Sequence, residues 1–542
     1  MFIHKTTRKV GDKTYHCLLL SESYRENGKV KHRVITNISR WPKHLIESLS
    51  SALKGKPQEI KPKPVQQKPS ATAMEDIPRK SGKNFGGLFV LKKLAKDLFI
   101  EKVLGTSRQG RLAMLLILGR ILIQGSRRHL TFWRDGEAVK EVLGVNSFDE
   151  DDLYETLDWL ETHQQKMEEK WFKLRFENEP VDLFLYDVTS SYLEGQCNQL
   201  ADYGYNRDGK KGKKQIVIGL LTNKHGAPIA VEVFKGNTSD VTTVPNQIKK
   251  MAERFKVNDV TFVGDRGMVK KVPMELLKKQ GWHTITAITK PQIESLMNKD
   301  VFQLELFEEK LVEITQDNVR YFLRRNPEMA LAMENNRKDR MQKITVLMKK
   351  LNEKLKAHPK SSPKIALKTL EERIDRLKLK NILTVQIKGR SLSCSTDKEG
   401  LQNASRLDGC YVIKTDLSQE KMKAEEVHSA YQGLSKVEWA FRSIKTGLLE
   451  IRPLYHRKAN RTRACAFVAM FAYAITHFLW EKIAHLDKPL ETVVSCLDQI
   501  QTQEIQIAGQ WIPVLPTHFR EDQDLILKTL NIQLPKTLQN TA

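Results

Sequence analysis

The chain has no C-x-x-C pair, and its six cysteines (Cys17, Cys197, Cys394, Cys410, Cys465 and Cys496) lie far apart. That spacing argues against thiolate zinc sites and a disulfide framework, and fits reduced thiols in a cytoplasmic protein. The fourteen histidines form no H-x3-H or H-E-x-x-H, so zinc hydrolysis has no support. No G-x-S-x-G offers a serine nucleophile. Met1-Phe-Ile-His-Lys-Thr-Thr-Arg-Lys9 lacks the apolar centre of a secretion signal. The longest apolar stretch, Ala464 to Trp480, is short for a membrane span and contains Thr476 and His477. It reads as a buried core helix, and no membrane partner is expected. Negative charge is also scarce: 65 Asp+Glu stand against 90 Lys+Arg, a formal charge of +25. Such an excess favours a polyanionic partner through counterion release.

What is present suits a globular protein. Of 542 residues, 40% are hydrophobic and 29% charged, enough apolar surface for several domains and too much for a disordered chain. Residues 1–50 read as a small β-rich module, with strand-like runs Tyr15–Ser21 and Lys31–Asn37 about the turn Glu26-Asn27-Gly28. Residues 51–85 shift to Lys, Pro, Gln and Ser and read as a linker. Residues 86–176 repeat leucine at helical spacing (Leu112, Leu115, Leu116, Leu118, Leu122) around a basic turn, Gly125-Ser-Arg-Arg128. They form a helical DNA-binding candidate.

Residues 177–298 read β-β-β-α-β-α-β. In a ribonuclease-H-like sheet with that chain order, the first and fourth strands lie side by side and parallel. Residues 299–407 look inserted: a hairpin over Asp317-Asn318, then a helix with Ile344, Met348, Leu351 and Leu355 on one face. A second helix carries Leu367, Leu370, Ile374 and Leu377, and the outer faces are rich in Lys and Arg. Residues 408–483 resume the core, and 484–542 form a C-terminal tail module. The fold expected is α/β: a ribonuclease-H-like catalytic core interrupted by an α+β insertion, with N-terminal β-rich and helical modules.

The chemistry rests on three acids. Asp187 ends the run Leu183-Phe-Leu-Tyr186, and Asp265 ends Val260-Thr-Phe-Val-Gly264. Each is expected at a C-terminal strand end, where open α/β sheets place their sites. Glu438 lies on a downstream helix. Tyr431, Glu438 and Lys445 are spaced by seven and seven, which returns each to nearly the same helix face, and Arg442 joins that stripe. Three converging carboxylates suit two hard divalent cations and in-line displacement at phosphorus. Asp240 is the rival for the second acid, but its Gly236-Asn-Thr-Ser-Asp240 context reads as a helix-capping turn outside the metal site. Gly204 to Lys211 nearly spells a P-loop but leads into a strand, so the phosphate cradle has no helix N-terminus. Arg207 to Lys214 instead reads as a basic hairpin loop able to touch DNA.

In these motifs the chain resembles the DDE-type transposases of bacterial insertion sequences, within the insertion-sequence-four superfamily. The resemblance rests on Tyr186-Asp187-Val-Thr, on Gly236 to Asp240 and on Gly264-Asp265-Arg266-Gly267. It rests also on a Tyr-x2-Arg-x3-Glu-x6-Lys signature met by Tyr431, Glu438 and Lys445, with Leu434 in place of Arg. It covers roughly 180–475. The resemblance implies that Asp187, Asp265 and Glu438 hold two Mg²⁺ (or Mn²⁺) ions. Tyr431, Lys445 and Arg266 would contact phosphate near the cut end, with Arg442, Lys210, Lys211, Lys213 and Lys214 as further DNA contacts. The implied activity is a DNA transposase and endonuclease that binds terminal inverted repeats, cleaves, and transfers strands to target DNA. It would act as a homodimer in a synaptic complex, in the cytoplasm at the nucleoid. The alternatives are a non-catalytic DNA-binding relic and a ribonuclease-H-like structure-specific nuclease.

Overall fold

The computed structural model describes residues 2–10, 13–26, 29–37, 46, 50, 79–176, 181–257, 259–269, 271–507, 510–516, 518–535 and 538. Two compact units divide the chain, residues 1–76 and 77–542. The first is an antiparallel meander of β1 (Phe2–Val10), β2 (Lys13–Glu26) and β3 (Lys29–Asn37), with a bulge at Leu20/Ser21. Asn27 and Gly28, the expected turn, lie outside the described residues.

The second unit opens with β4 (Arg79–Asn84), followed by helices of which the longer are α1 (Gly86–Asp97), α2 (Arg108–Leu122), α3 (Arg127–Trp133) and α4 (Glu150–Phe176). Residues 79–84, read as linker from composition, are a strand. Distant pairing decides this, because β4 completes a sheet with β15 (Gln501–Ile507) and β16 (Gln510–Val514) from the far end of the chain.

The centre of this unit is an eight-stranded mixed sheet in the order β10-β11-β14-β9-β8-β5-β6-β7. Its strands are β5 (Leu183–Tyr192), β6 (Gln215–Asn223), β7 (Pro228–Lys235), β8 (Thr261–Gly264), β9 (His283–Ala287), β10 (Val312–Gln316), β11 (Val319–Arg325) and β14 (Cys410–Thr415). β5, β8 and β9 are mutually parallel, and the other pairings are antiparallel. The expected parallel pairing of the first and fourth core strands is therefore present.

Both faces of the sheet are covered, which explains why its central strands read as continuous apolar runs. Side chains alternate along a strand. Leu183 and Leu185 of β5 join one core with the N-terminal helices, while Phe184, Tyr186 and Val188 join another with Val244, Ile248 and Leu277. The second core is closed by α5 (Asp240–Lys249), which runs on as a π-helical turn to Phe255, and by α6 (Lys271–Lys279).

The hairpin β10–β11, grouped with the insertion by sequence, instead extends this sheet, because β11 pairs with β14 from Arg320↔Thr415 to Arg325↔Cys410. What stands apart is residues 327–405. Its helices α7 (Pro327–Ala357) and α8 (Pro363–Arg376) pack with the hairpin β12 (Leu383–Lys388)–β13 (Ser391–Thr396) around Ile344, Leu355, Leu370 and Ile374. Asn326 caps α7, its side chain accepting from Met329 N at 3.1 Å, and Pro327 fills the first turn.

After β14 come α9 (Ala424–Gln432), α10 (Leu434–Lys445), α11 (Ala459–Ile483) and α12 (Leu490–Asp498). α11 carries the longest apolar run, and its residues from Ala464 to His477 are all buried against α2, α4 and β7. It is a core helix of this unit.

Candidate active site

The parallel register Tyr186↔Gly264 puts Asp187 and Asp265 at the next step of neighbouring strands. Adjacent strands run about 4.8 Å apart, so these acids stand beside one another. Asp265 falls just beyond the end of β8, as read from sequence. Asp187 does not end its strand: β5 continues to Tyr192, held by antiparallel β6. Asp187 Oδ1 accepts from Val188 N at 2.7 Å, and Asp265 Oδ1 accepts from Arg266 N at 2.7 Å.

The third acid arrives on a different construction from the one expected. A single helix was to carry Tyr431, Glu438, Arg442 and Lys445. The chain instead breaks at Gly433, so Tyr431 ends α9 while the other three ride α10. Gly433 is where the helix comes close to the sheet: a Cβ there would lie 2.9 Å from the Ala430 carbonyl and 3.4 Å from Leu185. Tyr431 O–H points to Asp265 Oδ1 at 3.4 Å. Glu438 and Arg442 are exposed on α10.

Lys445 departs from the expected exposed stripe. It is 8% exposed, donates to Thr189 Oγ1 at 3.1 Å and pairs with Asp208 at 2.5 Å. The cause is packing: the face of α10 that carries Lys445 lies on β5. Leu434, at the signature Arg position, is likewise buried, in the main core.

Electrostatics ties the three acids together. Burial pushes the Asp187 carboxyl up to about 7; the Val188 N–H opposes this, Asp265 adds to it, Arg207 opposes it and Glu438 adds to it. Burial, then Asp265, also raises the Tyr431 phenol, which stays protonated. The Lys445 ammonium is pulled down by burial, while Asp208 raises it.

Asp208 went unread in the sequence. Its side chain is 1% exposed and holds both Lys445 and Arg452, the latter at 2.7 Å, while accepting from Tyr192 N at 3.1 Å. Its partners lie far along the chain, so no local pattern marks it. Asp208 belongs to the long connection 193–214 between β5 and β6, which is more than the simple hairpin loop expected. Backbone bridges pin it at Asp202↔Gln215 and Leu193↔Leu454.

In the same connection Arg207 donates to both oxygens of Asp240 at 2.6 Å. Asp240 is thus neutralised by Arg207 at the first residue of α5; Ser239, not Asp240, occupies the N-cap. Lys210, Lys211 and Lys213 are exposed, and Lys214 is half-buried. Lys213 pairs with Glu194 at 2.6 Å, and Lys210 lies 5.7 Å from the Tyr192 ring. Arg266 is exposed beside Asp265, close enough to favour ionisation of the Tyr431 phenol.

Among the described residues, no three His, Cys, Asp or Glu side chains stand close enough to enclose a metal ion as they are. The donor set still fits a hard divalent cation: all-oxygen ligands, with a largely buried carboxylate opposed by two further acids.

Residues 181–475, more than half the chain, match the transposase DDE domain family. Residues 3–69 match the IS1634 family transposase N-terminal domain. Two solved structures share 10% identity with the chain. A piggyBac transposase synaptic complex with hairpin DNA covers 84% of this chain and 86% of its own, at TM-score 0.35. A Mos1 transposase paired-end complex with left transposon end covers 45% and 68%, at TM-score 0.15. Likeness that weak carries no argument. No curated protein matches the chain.

Proposed function

The chain belongs to the DDE-domain transposases, and on that premise we propose that it binds the terminal inverted repeats of an insertion sequence, cuts DNA there and joins the freed 3′-OH to target DNA. One observation carries the reading. Asp187 and Asp265 stand side by side on parallel strands, and Glu438 is near enough to add to the rise of the Asp187 carboxyl. The chain order of β5 to β9, laid out as β9-β8-β5-β6-β7, supports a ribonuclease-H-like core. Tyr431, Glu438 and Lys445 support the insertion-sequence-four subgroup.

In this reading Asp187, Asp265 and Glu438 hold Mg²⁺ or Mn²⁺, two ions by the chemistry of in-line phosphoryl displacement. Such ions supply Lewis-acid polarisation and charge neutralisation at the phosphoryl group. The rest is done by the chain. Tyr431 stays protonated and orients Asp265. Asp208 holds Lys445, which in turn donates to Thr189 of β5, two residues past Asp187. Lys210, Lys211, Lys213, Lys214, Arg266 and Arg442 supply cations for the DNA backbone. The working unit is a homodimer in a synaptic complex, located in the cytoplasm at the nucleoid.

The test is incubation with labelled DNA carrying the element ends plus a plasmid, in Mg²⁺ or Mn²⁺, alongside Asp187→Ala, Asp265→Ala and Glu438→Ala. Metal-dependent cleavage and joining, lost in all three variants while DNA binding persists, is the expected outcome. Wild-type binding without cleavage would make the chain a DNA-binding relic. Cleavage without joining would make it a structure-specific nuclease. Cleavage that survives Glu438→Ala would remove Glu438 from the triad.

A further inference from the structure

The basic turn Gly125–Arg128 has no part in the site above, yet it opens a cavity of about 710 Å³ between α2, α3, α11 and the loop 450–458. Six fixed cations line it: Arg120, Arg127, Arg452, Arg457, Lys458 and Arg461. Glu450 is the only carboxylate among the described lining residues. Two of the cations are already satisfied. Arg452 pairs with Asp208, and Arg461 makes a forked bond to Asp158 at 2.8 to 3.2 Å.

The floor is different. Arg127 is 8% exposed; among the described residues its Nε has no hydrogen-bond partner, and its Nη2 reaches only the Cys465 sulfur at 3.4 Å. A buried guanidinium bonded to one sulfur is short of acceptors. The positive field there is strong enough to act on that sulfur. Burial would raise the Cys465 thiol, but Arg127, a His456 hydrogen bond and Arg120 hold it well below the usual thiol range.

The N-terminus of α11 also opens here. Its N-cap residue is Lys458, which gives no side-chain cap, so the positive end of a long helix faces the cavity. At the rim Arg457 and Lys458 are exposed, and Tyr455 is 69% exposed.

We propose that this cavity is a second phosphate site, which grips a backbone phosphodiester of the bound DNA away from the one that is cut. The proposal rests on the functional reading above. DNA is favoured over a free anion for two reasons. The rim is open and basic, as a strand lying across it requires. The cavity is also wired to the acids: Arg452 lies in its wall and shares Asp208 with Lys445, and the Leu193↔Leu454 bridge joins its loop to the end of β5. A phosphate held here would set where the strand crosses the acids.

The test uses the full chain with two probes, inorganic phosphate and a fluorescent duplex of arbitrary sequence, neither needing cleavage. The variants are Arg120→Gln at the floor and Arg457→Ala/Lys458→Ala at the rim. Phosphate is expected to raise the unfolding temperature of the wild type and not of Arg120→Gln. Both variants are expected to bind duplex about tenfold more weakly, with a salt slope shallower by about 0.9 for each phosphate no longer neutralised. Wild-type duplex affinity and slope in a folded variant would overturn the proposal. A phosphate shift with unchanged duplex binding would also overturn it, assigning the cavity to a free anion. If Arg120→Gln does not fold, the exposed rim variant carries the test. Failure to cleave the element-end DNA in the assay above would sink the functional reading while leaving this comparison intact.

Discussion

Replacing Asp208 by Asn should destabilise the protein far more than a loop substitution normally does. The carboxylate is 1% exposed and takes Lys445 at 2.5 Å and Arg452 at 2.7 Å, whose side chains are 11% and 28% exposed. Removing one partner of a buried ion pair costs about 3–5 kcal/mol, because the other charge is left uncompensated. Asn still accepts one hydrogen bond, and Arg452 can turn to water, so the lower end, about 3 kcal/mol, is expected. Urea unfolding followed by tryptophan fluorescence measures it. A buried pair is poorly screened, so the loss should persist in 1 M salt, where the screening length is roughly 3 Å. Lys445→Met removes the stranded cation, so the double variant should recover at least about 1 kcal/mol of the Asp208→Asn loss. A single-variant cost below about 1 kcal/mol, or a loss that vanishes in high salt, would show that the pair is solvent-exposed in solution. The role given to Asp208 would then be wrong.

Glu137 is 1% exposed, and burial, then Asp498, pushes its carboxyl up to about 8. A raised carboxylate favours the fold fully below its unfolded value near 4.5, and that support is lost as pH rises toward 8. Glu137→Gln keeps the acceptor for Asn84 and should stabilise by up to about 3 kcal/mol at pH 7 but by little at about pH 4.5, read by urea unfolding at both. Equal effects at the two pH values would refute the shift. Leu434→Arg, which restores the signature residue, should lower stability by roughly 3 kcal/mol because position 434 is buried in the main core. Improved cleavage by that variant at unchanged stability would contradict the packing. Gly236→Ala should cost more than about 2 kcal/mol, since a Cβ there would lie 1.9 Å from the Gln215 carbonyl and 2.5 Å from that of Asp202. Wild-type unfolding of Gly236→Ala would count against the close approach.

The legible parts of the site were those whose signal is local. Asp187 and Asp265 each follow an apolar run, and a run buried on both faces of a sheet looks the same wherever it falls in a chain. The seven-residue spacing of Tyr431, Glu438 and Lys445 also reads directly, but only as an angle about one axis. It says nothing of the break at Gly433, where the helix comes close to Leu185 of the sheet. Nor does it say which residue of the stripe meets solvent. Glu438 is exposed while Lys445 is buried against β5, a difference set by how α10 rests on that strand.

By itself the sequence determined the excess of positive charge, the β-β-β-α-β-α-β order and the acids that end two apolar runs, all properties of residues near one another. Tertiary structure alone decided three things. Strand β4 pairs with β15 although more than 400 residues separate their facing groups. The hairpin β10–β11 belongs to the central sheet because β14 lies beside it. Asp208 becomes a buried anchor only when Lys445 and Arg452 close over it. In each case the deciding term is a hydrogen bond or ion pair whose partner is distant in sequence and desolvated only once the chain has folded.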